Sequence, residues 1–420
     1  MIHYYNDIKC INCGRITDER NIFNKCPECT KKGYAVNYSV EYDYNKLERD
    51  INWPISGKGI WKYKSFFAIK GEIEPVTLME GDTPLIHVKK LGEYLKLNNL
   101  YIKDETRNPT WSYKDRLCSV AVTRAIQNGA KVITASSTGN HGASAAAYAA
   151  AAGLKCVVFT TPDIPQTMKT LMKSYGAIVV TVPKPEDRWK VMRESVKKFG
   201  WFPVSGYESP AIGSNPYGID GYKTITFEIY ETLNMMPDFI VAPTAYGDGL
   251  YGMWKGVKEL NKLNITTSHP TMIASEAFGS YKESLANNEL KPVSLNLESI
   301  KSKSFSIATK RGTFQGLTAL RESNGLAEVS NDSETMKMQK LLSSKEGIFA
   351  EAASLTPLVA ISKLREKGEI DENESVVAII TSTGLKDIES TSELTSKVDT
   401  INPDIIELED LLTTKYKMSL

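Results

Sequence analysis

From Lys131 onward the sequence alternates short β-branched runs with segments of helical length, and this alternation limits the possible folds more than any other feature. Lys131-Val-Ile-Thr134, Lys155-Cys-Val-Val-Phe159 and Ala177-Ile-Val-Val-Thr-Val182 read as strands. An alanine-rich helix over 141–152 and a second helix over about 165–175 separate them, stopped by Gly153 and Gly176. A second series starts at Asp238-Phe-Ile-Val-Ala242, enters a glycine-bearing turn and a helix over 250–260, and continues in strands 271–275 and 376–380. Strands that alternate with helices pair in parallel, because a parallel connection must cross over the sheet face. The expected class is therefore α/β, with two open parallel-sheet domains and a cleft between them. No internal repeat is visible, and the Ser/Thr/Glu-rich tail after Ile388 reads as surface.

A chain of 420 residues is long enough for two such domains and a small appendage. Lysine plus arginine (51) nearly balance aspartate plus glutamate (50), so no net field points to nucleic acid or a membrane surface. A small-molecule substrate is the better expectation. No apolar run spans a bilayer, and the segment from Met1 to Asn6 lacks a signal-peptide core, so a cytoplasmic location is expected.

Cys10-x-x-Cys13 and Cys26-x-x-Cys29 form two knuckles within the first 45 residues. Four thiolates at this spacing can close a tetrahedron around one zinc ion. Two readings stand: a structural zinc site, or a ribbon that has lost its metal. Cys118 and Cys156 lie in apolar stretches and read as small core residues. His3, His87 and His269 have no ligand spacing and read as structural. Trp53 to Phe67 reads as a packed aromatic connector.

Three loops stand where ligands bind in open α/β sheets. The first is Asn108-Pro-Thr-Trp-Ser-Tyr-Lys-Asp-Arg116, whose Lys114 could equally be a solvated helix residue. The second, Ser136-Ser-Thr-Gly-Asn-His-Gly142, opens the alanine-rich helix. Free N–H groups there suit an anion, with Gly139 and Gly142 allowing close approach. The third, Ala245-Tyr-Gly-Asp-Gly249, is a candidate phosphate cradle. Each alone also fits an ordinary turn.

In this order the three resemble the fold-type II (tryptophan synthase beta-like) pyridoxal-phosphate enzymes, and within them the threonine synthase family. The resemblance covers nearly the whole chain. Asn108 to Arg116 resembles the family's NPTGSFKDR motif. Gly59-Ile-Trp-Lys-Tyr63 and the stretch from Glu74 to Leu85 resemble its entry segment. Ala135 to Asn140 with Ala143 to Tyr148, Asn215-Pro-Tyr with Gly221-Tyr-Lys-Thr224, Glu351-Ala-Ala-Ser354 and Thr381 to Asp387 resemble its later motifs. The family also carries a cysteine appendage. The resemblance implies an appendage at 1–45, a large cofactor-binding domain at 46–115 and 206–420, and a smaller mobile domain at 116–205.

The resemblance also implies roles. Lys114 would carry pyridoxal 5'-phosphate as a Schiff base and serve as the α-proton base, with burial lowering its pKa. Asn140 would hydrogen-bond the phenolic oxygen, and Thr381 would face the pyridine nitrogen. Ala245, Tyr246, Gly247, Asp248 and Gly249 would hold the phosphate. Ser112, Ser137, Thr138, His141 and Asn215 would contact an amino-acid substrate. Cys10, Cys13, Cys26 and Cys29 would hold zinc, and a homodimer is implied. The expected reaction converts O-phospho-L-homoserine and water to L-threonine and phosphate.

Several residues depart from the family pattern. Trp111 replaces a glycine, and its ring is expected to narrow the pocket. His141 replaces a small residue, either to handle a proton or to cap its own helix. Gly218 and Asp220 replace an arginine and a glutamate, and Ser382 a glycine. Asp248 puts a carboxylate into the phosphate cradle. His141 and Gly218 keep open a second reaction, β-elimination or β-replacement on serine, threonine or phosphoserine, as in ammonia-lyases or cysteate synthase. A non-catalytic binding protein is the outside option.

Overall fold

The structure is a computed structural model that describes residues 4–299, 301–392, 395 and 397–420. His3 lies outside them. In the cysteine-bearing segment, β1 (Tyr5–Cys10) and β2 (Tyr38–Tyr42) pair antiparallel. Then follow β3 (Leu85–His87), β4 (Asn99–Asp104), β5 (Val132–Ser136), β6 (Lys155–Thr160), β7 (Ile178–Thr181) and β8 (Phe202–Pro203). The last group is β9 (Phe239–Pro243), β10 (Thr271–Glu276), β11 (Leu326–Val329) and β12 (Ser375–Ile380). One sheet has the order β7-β6-β5-β8 and is parallel throughout. The other has the order β11-β10-β9-β12-β4-β3.

The six runs read as strands in the sequence correspond to β5, β6, β7, β9, β10 and β12. β6, β9 and β12 are apolar runs buried on both faces, as parallel strands inside a sheet are, while the edge strand β7 is largely exposed. The larger sheet departs from the expected parallel pairing at one edge, where β3 runs antiparallel to β4. Loops leaving the carboxyl ends of β4, β5, β9 and β12 carry residues 105–113, 137–139, 244–247 and 381–383, which converge on one region of the molecule.

The lysine loop is fixed by buried charge. Arg116 is fully buried at the start of the Lys114–Gln127 helix. Its Nε and Nη2 donate to Glu105, each at 2.7 Å, and its Nη1 and Nη2 donate to Glu228 at 2.6 and 2.8 Å. Lys103 Nζ reaches the same Glu228 at 2.7 Å. The neighbouring Asp115 accepts from Thr110 N–H at 2.6 Å and from Ser144 Oγ at 2.6 Å, which ties the loop to the alanine-rich helix. At Gly221 a Cβ would collide with the Arg116 carbonyl, so the chain can pass the helix start only as glycine.

Residues 388–420 form a separate compact unit with helices Ile388–Ser392 and Ile405–Asp410. None of its described residues is buried, in line with its polar composition. No helix among the described residues is long and apolar enough to cross a membrane.

Removing one partner of a buried ion cluster leaves the others uncompensated, at a cost of roughly 3–5 kcal/mol. Arg116→Ala is expected to lower unfolding stability by that amount in a urea titration. A loss below about 1 kcal/mol, the range of a surface ion pair, would show that the cluster does not hold the loop.

Candidate active site

One cavity of about 190 Å³ collects most of the residues named from the sequence. Lys114, Ser137, Thr138, Asn140, His141, the turn 245–249 and Thr381 all line it. Ser112 and Asn215 do not. Ser112 is fully buried beneath Ser382 in an antiparallel bridge. Asn215 uses its side chain structurally: Oδ1 accepts from Gly218 N–H at 3.0 Å and Nδ2 donates to the Pro203 carbonyl at 2.8 Å. The structure therefore keeps both polar groups away from the cavity.

Lys114 Nζ lies 4.6 Å from the ring centroid of Tyr113 and 5.6 Å from that of Tyr222, and 3.3 Å from the Tyr113 hydroxyl. Burial presses its pKa down, as the sequence suggested, but Tyr113 and Asp248 outweigh that effect and the net shift is upward. The expected depression is thus reversed by two neighbouring side chains. Tyr113 N–H donates to the Thr381 carbonyl at 3.0 Å, which fastens the lysine turn to the end of β12. Thr381 Oγ1 lies 2.9 Å from Ser354 Oγ.

Trp111 has φ +57, the left-handed region, which costs a bulky residue about 1–2 kcal/mol and explains why glycine suits that position. Its ring is 44% exposed and does not line the cavity, so the pocket is not narrowed by it.

The helix Asn140–Ala151 begins at the cavity wall with Gly139 as its cap. Gly142 serves packing rather than ligand approach: a Cβ there would lie 2.8 Å from Met172 Sδ and 3.1 Å from Val158 Cγ1. The Asn140 amide has a fixed orientation. Lys386 Nζ, which can only donate, sits 2.8 Å from Oδ1. Both Glu351 oxygens sit 3.0 and 3.1 Å from Nδ2, so the nitrogen faces the carboxylate. Lys386 is depressed to about 8, chiefly by burial, against the opposing pull of Glu351 and Asp115. Lys386 and Glu351 were inside the quoted motifs but carried no signal of their own, because their partner lies more than two hundred residues away. Arg188 also lines the cavity and had no sequence signal. Among the described residues it makes no ion pair, and burial lowers its pKa.

His141 both lines the cavity and bonds the frame: its Nε2 lies 3.1 Å from the Val204 carbonyl, so Nε2 carries the proton and Nδ1 is the free acceptor. Burial, reinforced by Lys114, drives its pKa down to about 3 despite that bond. The imidazole is neutral and a poor acid.

The turn 245–249 opens the helix Asp248–Lys262, with Gly247 at φ +70 as its cap. A Cβ at Gly247 would lie 2.6 Å from Gly316 Cα, and one at Gly249 2.8 Å from the Tyr113 ring. The turn is packed as glycine demands and offers free N–H groups at a helix start, the chemistry that accepts a phosphate. Gly218 and Asp220 stand outside the site. A Cβ at 218 would lie 2.8 Å from Leu117 Cγ, and Asp220 is held by Tyr42 and Lys255 at 2.5 and 2.6 Å.

In the appendage the sulfurs of Cys10, Cys13, Cys26 and Cys29 all lie within 4.8 Å of one another, with Cys10 and Cys29 at 3.5 Å and Cys13 and Cys26 at 3.6 Å. A tetrahedron with zinc–sulfur bonds of about 2.3 Å has sulfur–sulfur edges of about 3.8 Å, so the set fits a zinc ion.

His141 has its folded pKa below the ordinary value of about 6.5. Its contribution to stability is complete above pH 6.5 and is lost as the pH falls toward 3. His141→Gln should lose less stability than the unsubstituted chain between pH 7 and pH 4 in paired urea titrations. Equal losses would show that the imidazole is not buried neutral.

Comparison with known proteins agrees with this geometry. Residues 76–382 match the model of the family described as pyridoxal-phosphate dependent enzyme. The chain is 32% identical to the threonine synthase of Methanocaldococcus jannaschii, over 96% of this chain and 98% of that one. It is 31% identical to the threonine synthase of Methanosarcina acetivorans, over 98% and 99%. Among solved structures, threonine deaminase isoform 2 of Solanum lycopersicum superposes with a TM-score of 0.65 at 19% identity, covering 82% of this chain and 95% of that one, which shows a shared fold. With lysine, asparagine loop, glycine turn and β12 threonine around one cavity, and with relatives matched end to end, the chain belongs to the pyridoxal-phosphate-dependent enzymes and, within them, to the threonine synthase family.

Proposed function

We propose that this chain converts O-phospho-L-homoserine and water to L-threonine and phosphate. The observation that carries the reading is the single cavity shared by Lys114, residues 137–141, the turn 245–249 and Thr381. When bound, pyridoxal phosphate supplies the electron sink that makes the substrate's α- and β-protons removable. Lys114 is the amine that would hold the cofactor's aldehyde, and its freed nitrogen would take and return the substrate's α-proton. Its place over the Tyr113 and Tyr222 rings keeps the ammonium near the cavity between transfers.

The N–H groups of 245–249 receive the cofactor phosphate. Thr381 Oγ1 would offer the pyridine nitrogen a neutral partner, which would leave it largely unprotonated and suit elimination and replacement better than transamination. Asn140 gives its nitrogen end to the phenolic oxygen while Lys386 and Glu351 keep it from flipping. Ser137, Thr138 and the helix start receive the substrate carboxylate, and His141 accepts a hydrogen bond at Nδ1. Arg188, a cation without an acidic partner among the described residues, takes the substrate's phosphate. The four cysteines hold a structural zinc. Residues 116–205 move toward the rest to exclude water from the cavity, as substrate-driven closure does in other enzymes. A cytoplasmic homodimer is the expected context.

A second reading, elimination on serine or threonine, is favoured by one observation: His141, the residue that keeps that reaction open, lines the cavity. A substrate panel separates the two. Phosphate release from O-phosphohomoserine is the expected result, and ammonia release from serine or threonine without phosphate release would contradict it. Arg188→Ala is expected to raise KM for O-phosphohomoserine about tenfold or more while changing kcat less, since a lost charge-assisted contact costs roughly 1.5–3 kcal/mol. An unchanged KM would remove Arg188 from the substrate site.

A further inference from the structure

A carboxylate at the opening of a phosphate-binding turn is a physical conflict, because two anions a few ångströms apart repel strongly in a buried site. Asp248 is such a carboxylate. The structure shows where its charge is directed. Asp248 Oδ1 accepts from Ser214 N–H at 2.8 Å and from Gln315 Nε2 at 2.5 Å. Gln315 is fully buried, and its Oε1 accepts from Asn37 Nδ2 at 3.2 Å. Asn37 is 1% exposed; its Nδ2 also donates to the Ser214 carbonyl at 3.1 Å, and its Oδ1 accepts from Tyr38 N–H at 2.9 Å.

These bonds share one polarity. The Tyr38 N–H can only donate, so it fixes the oxygen of Asn37 toward itself and the Asn37 nitrogen toward Gln315. That nitrogen fixes the oxygen of Gln315, and the Gln315 nitrogen is left facing Asp248. Gly213, at φ +118, closes the space around the last bond: a Cβ there would collide with Gln315 Nε2 and lie 2.8 Å from Asp248 Oδ1. The relay starts in the cysteine-bearing segment, where the Asn37 carbonyl also accepts from Ile11 N–H, inside the first knuckle, at 3.2 Å.

We infer that Asn37 is a positioning residue of the cofactor site: through Gln315 it holds the Asp248 carboxylate turned away from the phosphate bound at 245–249. The inference rests on the reading that this turn is the phosphate site. It gives the appendage a role in cofactor binding, through two buried side chains, Asn37 and Gln315, and no contact with the cofactor itself.

Asn37→Asp tests it with a nearly isosteric change. A carboxylate at 37 can only accept, so Gln315 must turn its nitrogen toward it and its oxygen toward Asp248, which releases that charge toward the cradle. The full chain, stripped of cofactor, is titrated with pyridoxal 5'-phosphate and separately with pyridoxal, and uptake is followed by absorbance. Asn37→Asp is expected to weaken pyridoxal 5'-phosphate by about tenfold or more and pyridoxal far less. Asp248→Asn added to Asn37→Asp is expected to restore the phosphate form, a rescue that a merely structural defect would not show.

Unchanged affinity for the phosphate form, or equal weakening of both forms without rescue, overturns the inference. If the unsubstituted chain takes up pyridoxal as tightly as pyridoxal 5'-phosphate, the turn is not the phosphate site and the inference falls with that reading. Should Asn37→Asp lack the native circular dichroism spectrum, Gln315→Met removes the same donor and carries the same comparisons and outcomes.

Discussion

The placement of Lys114 depends on what flanks it. One residue before it, Tyr113 N–H is bonded to the Thr381 carbonyl. Two residues after it, Arg116 is buried against Glu105 and Glu228 with four charge-assisted hydrogen bonds of 2.6 to 2.8 Å. The first bond sets the height of the amine above the end of the larger sheet. The ion cluster sets the direction of its helix. Together they aim a flexible side chain at the cavity while leaving it one long hydrogen bond, to the Tyr113 hydroxyl at 3.3 Å, which suits an amine proposed to form and release a covalent bond.

Around that amine the protein controls charge by giving each acid a partner. Glu351 is shared with the Asn140 amide, Asp248 with Ser214 N–H and Gln315, and Asp115 with Thr110 and Ser144. Burial raises the pKa of all three, in Asp115 to about 6, and hydrogen bonds offset part of that rise. The acids in and around the cavity are therefore held by hydrogen bonds of known direction, the condition under which a site stabilises developing charge without reorganising.

The legible part of the sequence was the part whose cause is local. β5, β6, β9 and β12 are continuous apolar runs, and the glycines of 245–249 mark a turn that only glycine can make. β4 was hidden because Lys103 and Asp104 interrupt its pattern. Both are buried, Lys103 because it pairs with Glu228, which lies in another part of the chain. β11 was hidden by its four-residue length and the buried Glu328 within it. In the site, Ser112 and Asn215 belong to the quoted motifs, yet neither lines the cavity. Their burial under Ser382 and Pro203 depends on how the sheets meet, which no spacing reveals. Trp111 misled in the opposite sense: its bulk suggested a narrowed pocket, whereas its left-handed backbone turns the ring to solvent. The depressed pKa of Lys386 comes from its burial, and the raised one of Lys114 chiefly from Tyr113 beside it and from Asp248; neither burial nor the place of Asp248 can be read from the motif.

Two buried amines belong to the site region, Lys386 on the Asn140 amide and Lys114 over the Tyr113 ring, and their electrostatics differ. Lys386 is the more easily deprotonated, while Lys114 faces the cavity. Lys114 is the amine proposed to carry the cofactor, because it lines the cavity and Lys386 does not. The direct test is to reduce the holoenzyme with borohydride, digest it and map the pyridoxyl group by mass spectrometry. The label on the peptide containing Lys114 is the expected result. A label on Lys386, or on no lysine of the chain, would contradict the assignment on which the site has been built.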